Sequence, residues 1–246
     1  MPRRRLTRVV AGLVVALVLV GGGVGVGVAA GWLLHDTAKP ASVSRAVARL
    51  HTSGAKGAVY IYTTRGGESL NAFVSARHVY PARTAVTVVP LDCGRRLSWD
   101  ALEGRSTTWT LCRTPRGLEL RSEVEIHSFF SRRDLTAYVC TGAVLSGDHS
   151  FFCRSRRGTA SGRIHDFGRE ELTVGGRQLP ALHVRTVSRV RGGDGGTETM
   201  DWWLEPETGL PLRLSFKSRT SRPLRIGNAH YREQADLRLV STTPRR

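Results

Sequence analysis

The sequence predicts a mainly β fold, in which an N-terminal transmembrane helix is followed by a curled antiparallel sheet or half-barrel with one short helix. Three observations predict it. Residues 9–34 form an uncharged apolar run, apolar and polar residues alternate with a period of two beyond residue 58, and turn sequences recur between the alternating runs. Because almost no helical period follows residue 58, the strands should pair as antiparallel neighbours.

The apolar run at residues 9–34 is interpreted as a single-pass anchor in the cell membrane. At about 1.5 Å rise per residue it would be roughly 39 Å long, enough to cross a hydrocarbon core of roughly 30 Å. Four arginines precede it, so the positive-inside rule keeps residues 1–8 in the cytoplasm as a basic tail and places the rest of the chain outside.

Two further features of this run leave alternatives open. A cleaved signal peptide is the alternative to an anchor, since Val28, Ala29 and Ala30 form a small-residue cleavage site. If the segment is retained, the four-residue spacing of its glycines places them on one helix face and predicts a possible homodimer contact through Gly23, Gly27 and Gly31.

Residues 35–57 are small and polar and are interpreted as a stalk with a short helix. Ser42 is a suitable cap for a helix from Val43 to Leu50, and Gly54 is a suitable stop. Residues 58–246 then form the extracytoplasmic β domain. Residues 118–127 alternate between apolar or small and charged or polar side chains, which is typical of a strand with one buried face and one wet face. Turns are predicted at residues 65–67, 175–176, 192–196 and 205–209.

The four cysteines predict two hairpin disulfides. In a hairpin centred on residues 146–147, Cys140 lies opposite Cys153. If residues 95–99 pair with residues 107–111, Cys93 and Cys112 fall opposite within one residue, and Cα atoms about 4.5–5.5 Å apart can be bridged. A four-cysteine zinc site is not favoured, because its ligands normally come as close CxxC pairs. No metal and no cofactor are therefore predicted.

The charge of the chain is +17, and without the four N-terminal arginines +13 remains outside the membrane. Outside the cell the acidic partners to expect are anionic lipid head groups or anionic envelope polymers, and no nucleic acid is expected. Basic loops at residues 154–157 and 219–225 are candidates for such contacts. The alternative is that arginine replaces lysine because of a GC-rich genome, since 34 of the 37 basic residues are arginine and three are lysine.

The sequence contains none of the common catalytic motifs, and no catalytic residue is predicted. The histidines are scattered. Two of them, in His165-Asp166 and Asp148-His149, are next to an acid, but adjacent residues of a strand point to opposite faces. The adjacent indoles of Trp202 and Trp203 should also lie on opposite faces. The sequence predicts an apolar ligand-binding face that comprises Trp202, Trp203, Leu212, Leu214 and Phe216.

The C-terminal run from residue 169 to residue 213 resembles the lipoprotein-carrier superfamily of envelope proteins. The likeness lies in a strand, a tight Gly175-Gly176 turn, a second strand, and an aromatic strand that ends in Trp203-Leu204-Glu205-Pro206-Glu207-Thr208-Gly209-Leu210-Pro211. It implies an incomplete antiparallel barrel around a helix, with an apolar cavity for an acyl chain or a lipidated partner. The front half resembles membrane-anchored proteins of high-GC Gram-positive bacteria, on Tyr80 to Thr84 and Cys93-Gly94.

Together these features predict a membrane-anchored extracytoplasmic ligand-binding or sensor module of the cell envelope, which binds a lipid or a lipidated partner. Two alternatives remain open. One is a basic interaction module for anionic envelope polymers or head groups, and the other is an envelope hydrolase whose residues converge only in space. The hydrolase requires a cleft in which histidine and carboxylate side chains meet within hydrogen-bond reach.

Overall fold

The computed structural model describes residues 38–225 and 227–245. The predicted basic tail, membrane anchor and glycine face lie outside these residues. Within the described part of the chain, none of the helices combines the length and the apolar character that a membrane crossing requires.

The described residues form one helix and thirteen antiparallel strands, which close into a ring. The helix is α1 (Val43–Thr52), and the strands are β1 (Ala58–Asn71), β2 (Ser75–Val79), β3 (Arg83–Leu91), β4 (Gly94–Leu102), β5 (Arg105–Thr114), β6 (Gly117–Phe129), β7 (Arg132–Thr141), β8 (His149–Arg154), β9 (Gly158–Val174), β10 (Arg177–Gly192), β11 (Gly195–Leu204), β12 (Pro211–Pro223) and β13 (Asn228–Leu239). From β3 onward each strand pairs with the next. β2 and β3 follow one another along one edge of β1, and β13 pairs with the other edge and closes the ring.

The prediction of a mainly β, antiparallel domain with one short helix is confirmed, and the curled sheet closes fully. The alternation that gives each strand one buried face is clear in β13. Its residues 233, 235, 237 and 239 are buried, and the residues between them are partly or fully exposed. Most buried side chains of the strands point into one interior, and closure pairs the edges that an open sheet would expose.

The helix lies on the outer face of the ring. Its side chains Val43, Ala46, Val47 and Leu50 pack with Val59 and Ala85 in a cluster separate from the interior of the ring. Ser42 caps it as predicted, because the Ser42 hydroxyl accepts a hydrogen bond from the Arg45 backbone N–H at 3.4 Å. It continues to Thr52, two residues beyond the predicted end. Ion pairs from Arg45 to Glu103 (2.6 Å) and from Arg49 to Asp100 (2.7 Å) tie it to the strands.

Both predicted disulfides are present. Cys140 lies directly opposite Cys153, and the bond from Cys93 to Cys112 follows the register in which Gly94 pairs with Cys112. The Cα atoms are 4.8 Å apart in the first hairpin and 4.0 Å apart in the second.

The predicted turn at residues 65–67 is wrong, because these residues lie inside β1. Gly66 and Gly67 pair with β13, and Gly67 also pairs with β2. A Cβ atom on Gly66 would come within 1.9 Å of the Gln234 carbonyl oxygen, and one on Gly67 would come within 2.2 Å of the His78 carbonyl oxygen. The glycines therefore permit close approach of neighbouring strands and do not reverse the chain. The turns at residues 175–176 and 205–209 are confirmed, and the turn at 192–196 shortens to residues 193–194.

The interior of the ring is divided along its axis. One half is filled with fully buried apolar side chains, including Leu97, Trp99, Trp109, Leu212 and Leu214. The other half, here called the polar end, adjoins the turns at residues 72–74, 130–131 and 193–194 and the C-terminal end of β12. Its inward positions carry Glu68, Arg105, Glu125, Glu198 and Glu233. The apolar half supplies the hydrophobic stabilisation, and the polar end contains the ionisable side chains that could bind a ligand.

The Cys140–Cys153 bond constrains a hairpin whose strands share only three register pairs. We expect the double variant Cys140→Ser/Cys153→Ser to lose about 2–4 kcal/mol of unfolding free energy, because the unfolded chain regains the entropy of the open loop. Denaturant unfolding in non-reducing buffer measures the loss. Equal unfolding free energies for the two proteins would show that the bond contributes nothing.

Candidate functional site

A buried arginine organises the polar end. Arg105, at the start of β5, is 1% exposed. Its Nε and Nη2 atoms donate to the two carboxylate oxygens of Glu233 at 2.9 and 2.8 Å, and its Nη1 donates to Thr107 Oγ1 at 2.6 Å. The guanidinium also lies 5.5 Å from the centre of the Trp99 ring. A bidentate pair of this kind is the strongest ordinary contact between a cation and a carboxylate.

The register of the closing strands explains why a cation is needed there. Glu68 of β1 lies directly opposite Glu233 of β13. Like charges in this arrangement repel one another. Arg105 approaches both, at 2.8 Å from Glu233 and 3.8 Å from Glu68, and so offsets the repulsion at the strand pair that closes the ring.

Two tyrosines and two histidines complete the hydrogen bonding of these acids. The Tyr231 hydroxyl lies 2.7 Å from Glu233 Oε2, 2.9 Å from Glu68 Oε2 and 3.0 Å from His127 Nδ1. The Tyr80 hydroxyl donates to Glu233, and His78 Nδ1 lies 2.9 Å from Glu68 Oε1. A hydroxyl has one proton, so Tyr231 donates to only one of its neighbours at a time.

The protonation states follow from these contacts. Burial acts to raise the pKa of Glu68, but hydrogen bonds with His127 and His78 outweigh it and hold the pKa at about 2. Burial and the charge of Arg105 act to lower the pKa of His127. The Glu125 carboxylate 4.0 Å away and the hydrogen bond with Glu68 overcome both and raise the pKa to about 9. At neutral pH, Glu68 is therefore ionised and His127 is a cation.

A cleft opens at the polar end. Its volume is about 360 Å³, and its lining includes the apolar side chains Leu70, Phe129, Phe130 and Leu224. A smaller cavity of about 50 Å³ lies against it and is lined by Trp202, Phe216, Met200 and Glu123. The two spaces share four lining residues, which are Glu125, Tyr138, Glu198 and Ser218. The outer cleft therefore has a partly apolar lining, and two carboxyl groups lie where it meets the inner cavity. The inner cavity itself is lined partly by aromatic side chains.

Two of the lining acids have no cationic partner among the described residues. Glu198 accepts a hydrogen bond from the Ser218 hydroxyl at 3.2 Å, and Glu123 accepts one from Trp109 Nε1 at 2.7 Å. Burial, followed by the charge of Glu125, raises the pKa of Glu198 to about 8. Burial, followed by the charges of Glu125 and Glu198, raises the pKa of Glu123 well above its usual value. Glu125 itself has a lowered pKa, because contact with His127 outweighs its burial.

Three ionised residues in the lining of the cleft pair with one another. Arg222 of β12 binds Asp194 in the β10–β11 turn, at 2.6 and 2.7 Å, and also reaches Asp134 of β7 at 3.1 Å. Arg157 also pairs with Asp134. Two arginines of the predicted basic loops are therefore engaged in internal ion pairs.

Glu125, His127 and Glu233 have the composition of a metal-binding group. Their potential ligand atoms lie within 4.8 Å of one another. However, both oxygens of Glu233 accept hydrogen bonds from Arg105, and His127 contacts Glu68 and Tyr231 through Nδ1. A divalent cation at this position would meet a guanidinium and a protonated imidazole, so these residues do not fit a metal.

The five residues of the predicted ligand-binding face all belong to one buried apolar cluster, and two of them line the inner cavity. Trp202 and Phe216 line the inner cavity, and Trp202 Nε1 has no hydrogen-bond partner in the part of the chain that the structure describes. Leu212 and Leu214 belong to the packed interior. Trp203 lies on the outer face, stacked on His183 with the Arg213 guanidinium 4.4 Å from its ring centre. A ligand contact for these residues stays a prediction.

The sequence interpretation missed the polar cluster because of a bulge in β6. The pairing of β5 with β6 shifts between Thr110 and Leu111 and skips Arg121. The shift places Glu123, Glu125 and His127 on the inward face, where the uninterrupted alternation predicts Ser122, Val124 and Ile126. A one-residue slip moves every later side chain to the other face of the sheet. The alternation of charged and apolar residues at 123–127 is visible in the sequence, but it does not show which of the two sets of side chains points inward.

The chain matches no protein-family profile, no curated protein and no solved structure in the comparisons. The functional assignment therefore depends on the geometry of the polar end.

We expect Arg105→Met to cost about 3–5 kcal/mol of unfolding free energy, because it leaves Glu233 buried without its cation. Adding Glu233→Leu should recover part of that loss, since the carboxylate that formed the bidentate pair is removed together with the guanidinium. Denaturant unfolding of the two single variants and the double variant measures the coupling between the residues.

Arg105→Lys provides a milder control, because it keeps the charge and loses the bidentate geometry. Additive losses in the double variant would contradict the proposed pairing.

The raised pKa of Glu198 predicts a pH dependence of stability. Its pKa lies at about 8 in the folded chain against an ordinary value of 4.5, so its contribution is complete below pH 4.5 and is lost as pH rises through about 8. We expect Glu198→Gln to remove a slope of about 1.4 kcal/mol per pH unit over this range. Denaturant unfolding at a series of pH values measures the slope. Parallel curves for the variant and the parent protein would refute the assignment.

Proposed function

We propose that the protein is an extracytoplasmic ligand-binding module whose ligand enters the cleft at the polar end and presents a basic group to Glu125 and Glu198. The observation that carries the proposal is the cleft of about 360 Å³ with apolar side chains and acids in its lining. Clefts with a largely apolar wall and a few convergent polar groups are the usual form of small-molecule sites.

The acids favour a basic ligand because the cations of the cluster are already engaged. Arg105 is bound to Glu233, and His127 contacts Glu68 and lies 4.0 Å from Glu125. An ammonium group between Glu125 and Glu198 would supply the missing positive charge, and the Tyr138 ring in the same lining is suited to cation–π contact. Entry of the ammonium would favour loss of the Glu198 proton.

The apolar lining favours an amphipathic ligand. Leu70, Phe129, Phe130 and Leu224 are suited to the apolar part of a molecule whose basic end reaches the acids. A lipid with an amine-bearing head group, or a lipidated partner with a basic residue next to its lipid, has this form. Both agree with the predicted lipid partner and with the resemblance to lipoprotein carriers. The two disulfides support an oxidising compartment, and attachment to the cell membrane remains part of the proposal.

Dodecylamine and dodecanoate, each below its micelle concentration, test the proposed charge preference. We expect the protein to bind the amine and not the acid. Glu198→Gln should weaken amine binding by roughly tenfold or more, because a buried charge pair is lost. Isothermal titration calorimetry in buffers of different ionisation heat should also show proton release on binding, and the release should be absent in the variant.

Glu207→Gln is the matched control, because Glu207 lies on an exposed turn away from the cleft. It should leave amine binding unchanged. Equal binding of dodecanoate and dodecylamine, or unchanged amine binding in Glu198→Gln, would refute the proposed ligand class.

A second candidate function is acid–base hydrolysis. His127, which lines the cleft, lies 3.2 Å from a carboxylate oxygen of Glu68. A hydrolase needs a histidine and a carboxylate within hydrogen-bond reach in a cleft, and this pair supports that candidate. The shifted pKa values of Glu198 and Glu125 also provide a protonated and an ionised carboxyl in one lining. Turnover of nitrophenyl glycosides or esters that Glu125→Gln abolishes would support this function. Amine binding without turnover would favour the binding module.

A further inference from the structure

The outer face of the ring carries a second charged feature near the polar end. Arg219 of β12 lies directly opposite Arg232 of β13, Arg232 lies opposite Ser69 of β1, and Ser69 lies opposite Arg77 of β2. With strands about 4.8 Å apart, the three arginines span roughly 14 Å. All three side chains are exposed. Lys217, also exposed, lies two residues before Arg219 on the same face.

These cations line one shallow groove of about 770 Å³, here called the basic groove and defined by Arg77, Lys217, Arg219 and Arg232. Its lining also includes Gly67, which presents no side chain. No side chain of Gly67 therefore separates the strands that carry the cations.

The cations of the basic groove are not neutralised within the described residues. Arg77, Lys217, Arg219 and Arg232 make no ion pair there, although Arg219 and Arg232 are direct cross-strand neighbours and repel one another. Further along the same strands the outer face is arranged differently. Asp236 there binds Arg213 at 2.9 Å and Arg238 at 3.1 Å. An external anion would compensate the charges of the groove in the way that Asp236 compensates its neighbours.

Exposed apolar side chains adjoin the cations. Val79 of β2 lies opposite Gly67, lines the groove and is 70% exposed. Phe73, in the turn between β1 and β2, is 72% exposed. A soluble anionic polymer would be recognised by the cations alone, whereas basic side chains next to exposed apolar ones are typical of surfaces that lie in a bilayer interface.

We propose that the basic groove docks on the anionic head groups of a lipid bilayer, with Val79 and Phe73 in the interfacial layer. The groove lies on the outer face of the ring and shares no lining residue with the cleft except Ser218. Docking there brings the polar end close to the membrane surface. The inference is independent of the ligand class proposed for the cleft.

The full-length chain in lipid nanodiscs provides the test. An environment-sensitive dye is attached at Val79→Cys, an exposed position where a label disturbs little packing. We expect the dye emission to shift to the blue in nanodiscs that contain phosphatidylglycerol, relative to nanodiscs of phosphatidylcholine alone. High salt should abolish the shift, because it screens the attraction between the arginines and the head groups.

Arg219→Gln/Arg232→Gln should lose the shift in phosphatidylglycerol. The matched control Arg96→Gln/Arg133→Gln removes the same charge from exposed positions on β4 and β7 and should keep it. Phe73→Ser should reduce the shift without any change of charge. Each of these results supports docking on lipid.

Two outcomes would overturn the proposal. The first is an equal shift, or none, in the two lipid compositions. The second is a shift produced by soluble polyphosphate in phosphatidylcholine nanodiscs but not by phosphatidylglycerol, since the groove would then bind a polymer.

Discussion

The contact between Arg105 and Glu233 is the constraint on which the polar end of the ring depends. Closure of the sheet pairs β1 with β13 and forces Glu68 and Glu233 to face each other inside the ring. Arg105 is supplied by β5, which is not a neighbour of either strand, so the cation connects distant parts of the wall. A guanidinium at this position makes the closed arrangement electrostatically tolerable, and its five donors also fix the geometry of the carboxylates around it.

The division of the interior separates stability from chemistry. Leu97, Trp99, Trp109 and Leu214 fill one half without exposed surface, and each such side chain is worth about 1.5–3 kcal/mol when it is buried. The polar end instead buries acids that desolvation penalises, and burial raises the pKa of Glu123 and of Glu198. Groups that weaken the fold and have shifted pKa values are most often found at functional sites.

The sequence was sufficient for features that depend on local pattern. The period-two alternation predicted the strands, and hairpin arithmetic predicted both cystine pairs, because residue spacing determines which positions face each other across a turn. The site was not predictable in this way. Glu68, Arg105, Glu125, Glu198 and Glu233 come from five different strands and meet only when the ring closes. The bulge at Arg121 then reversed the faces of β6, and no local signal marks that shift.

The pairing of β1 with β13 also affects when the cluster forms during synthesis. Arg105 precedes Glu233 by 128 residues, so the ribosome completes the first five strands long before the partner of Arg105 exists. Until β13 is made, the inner wall is accessible to water and its acids titrate as ordinary solvated groups. Joining strands so far apart in the chain is slow, and the nascent protein is vulnerable to aggregation during that interval.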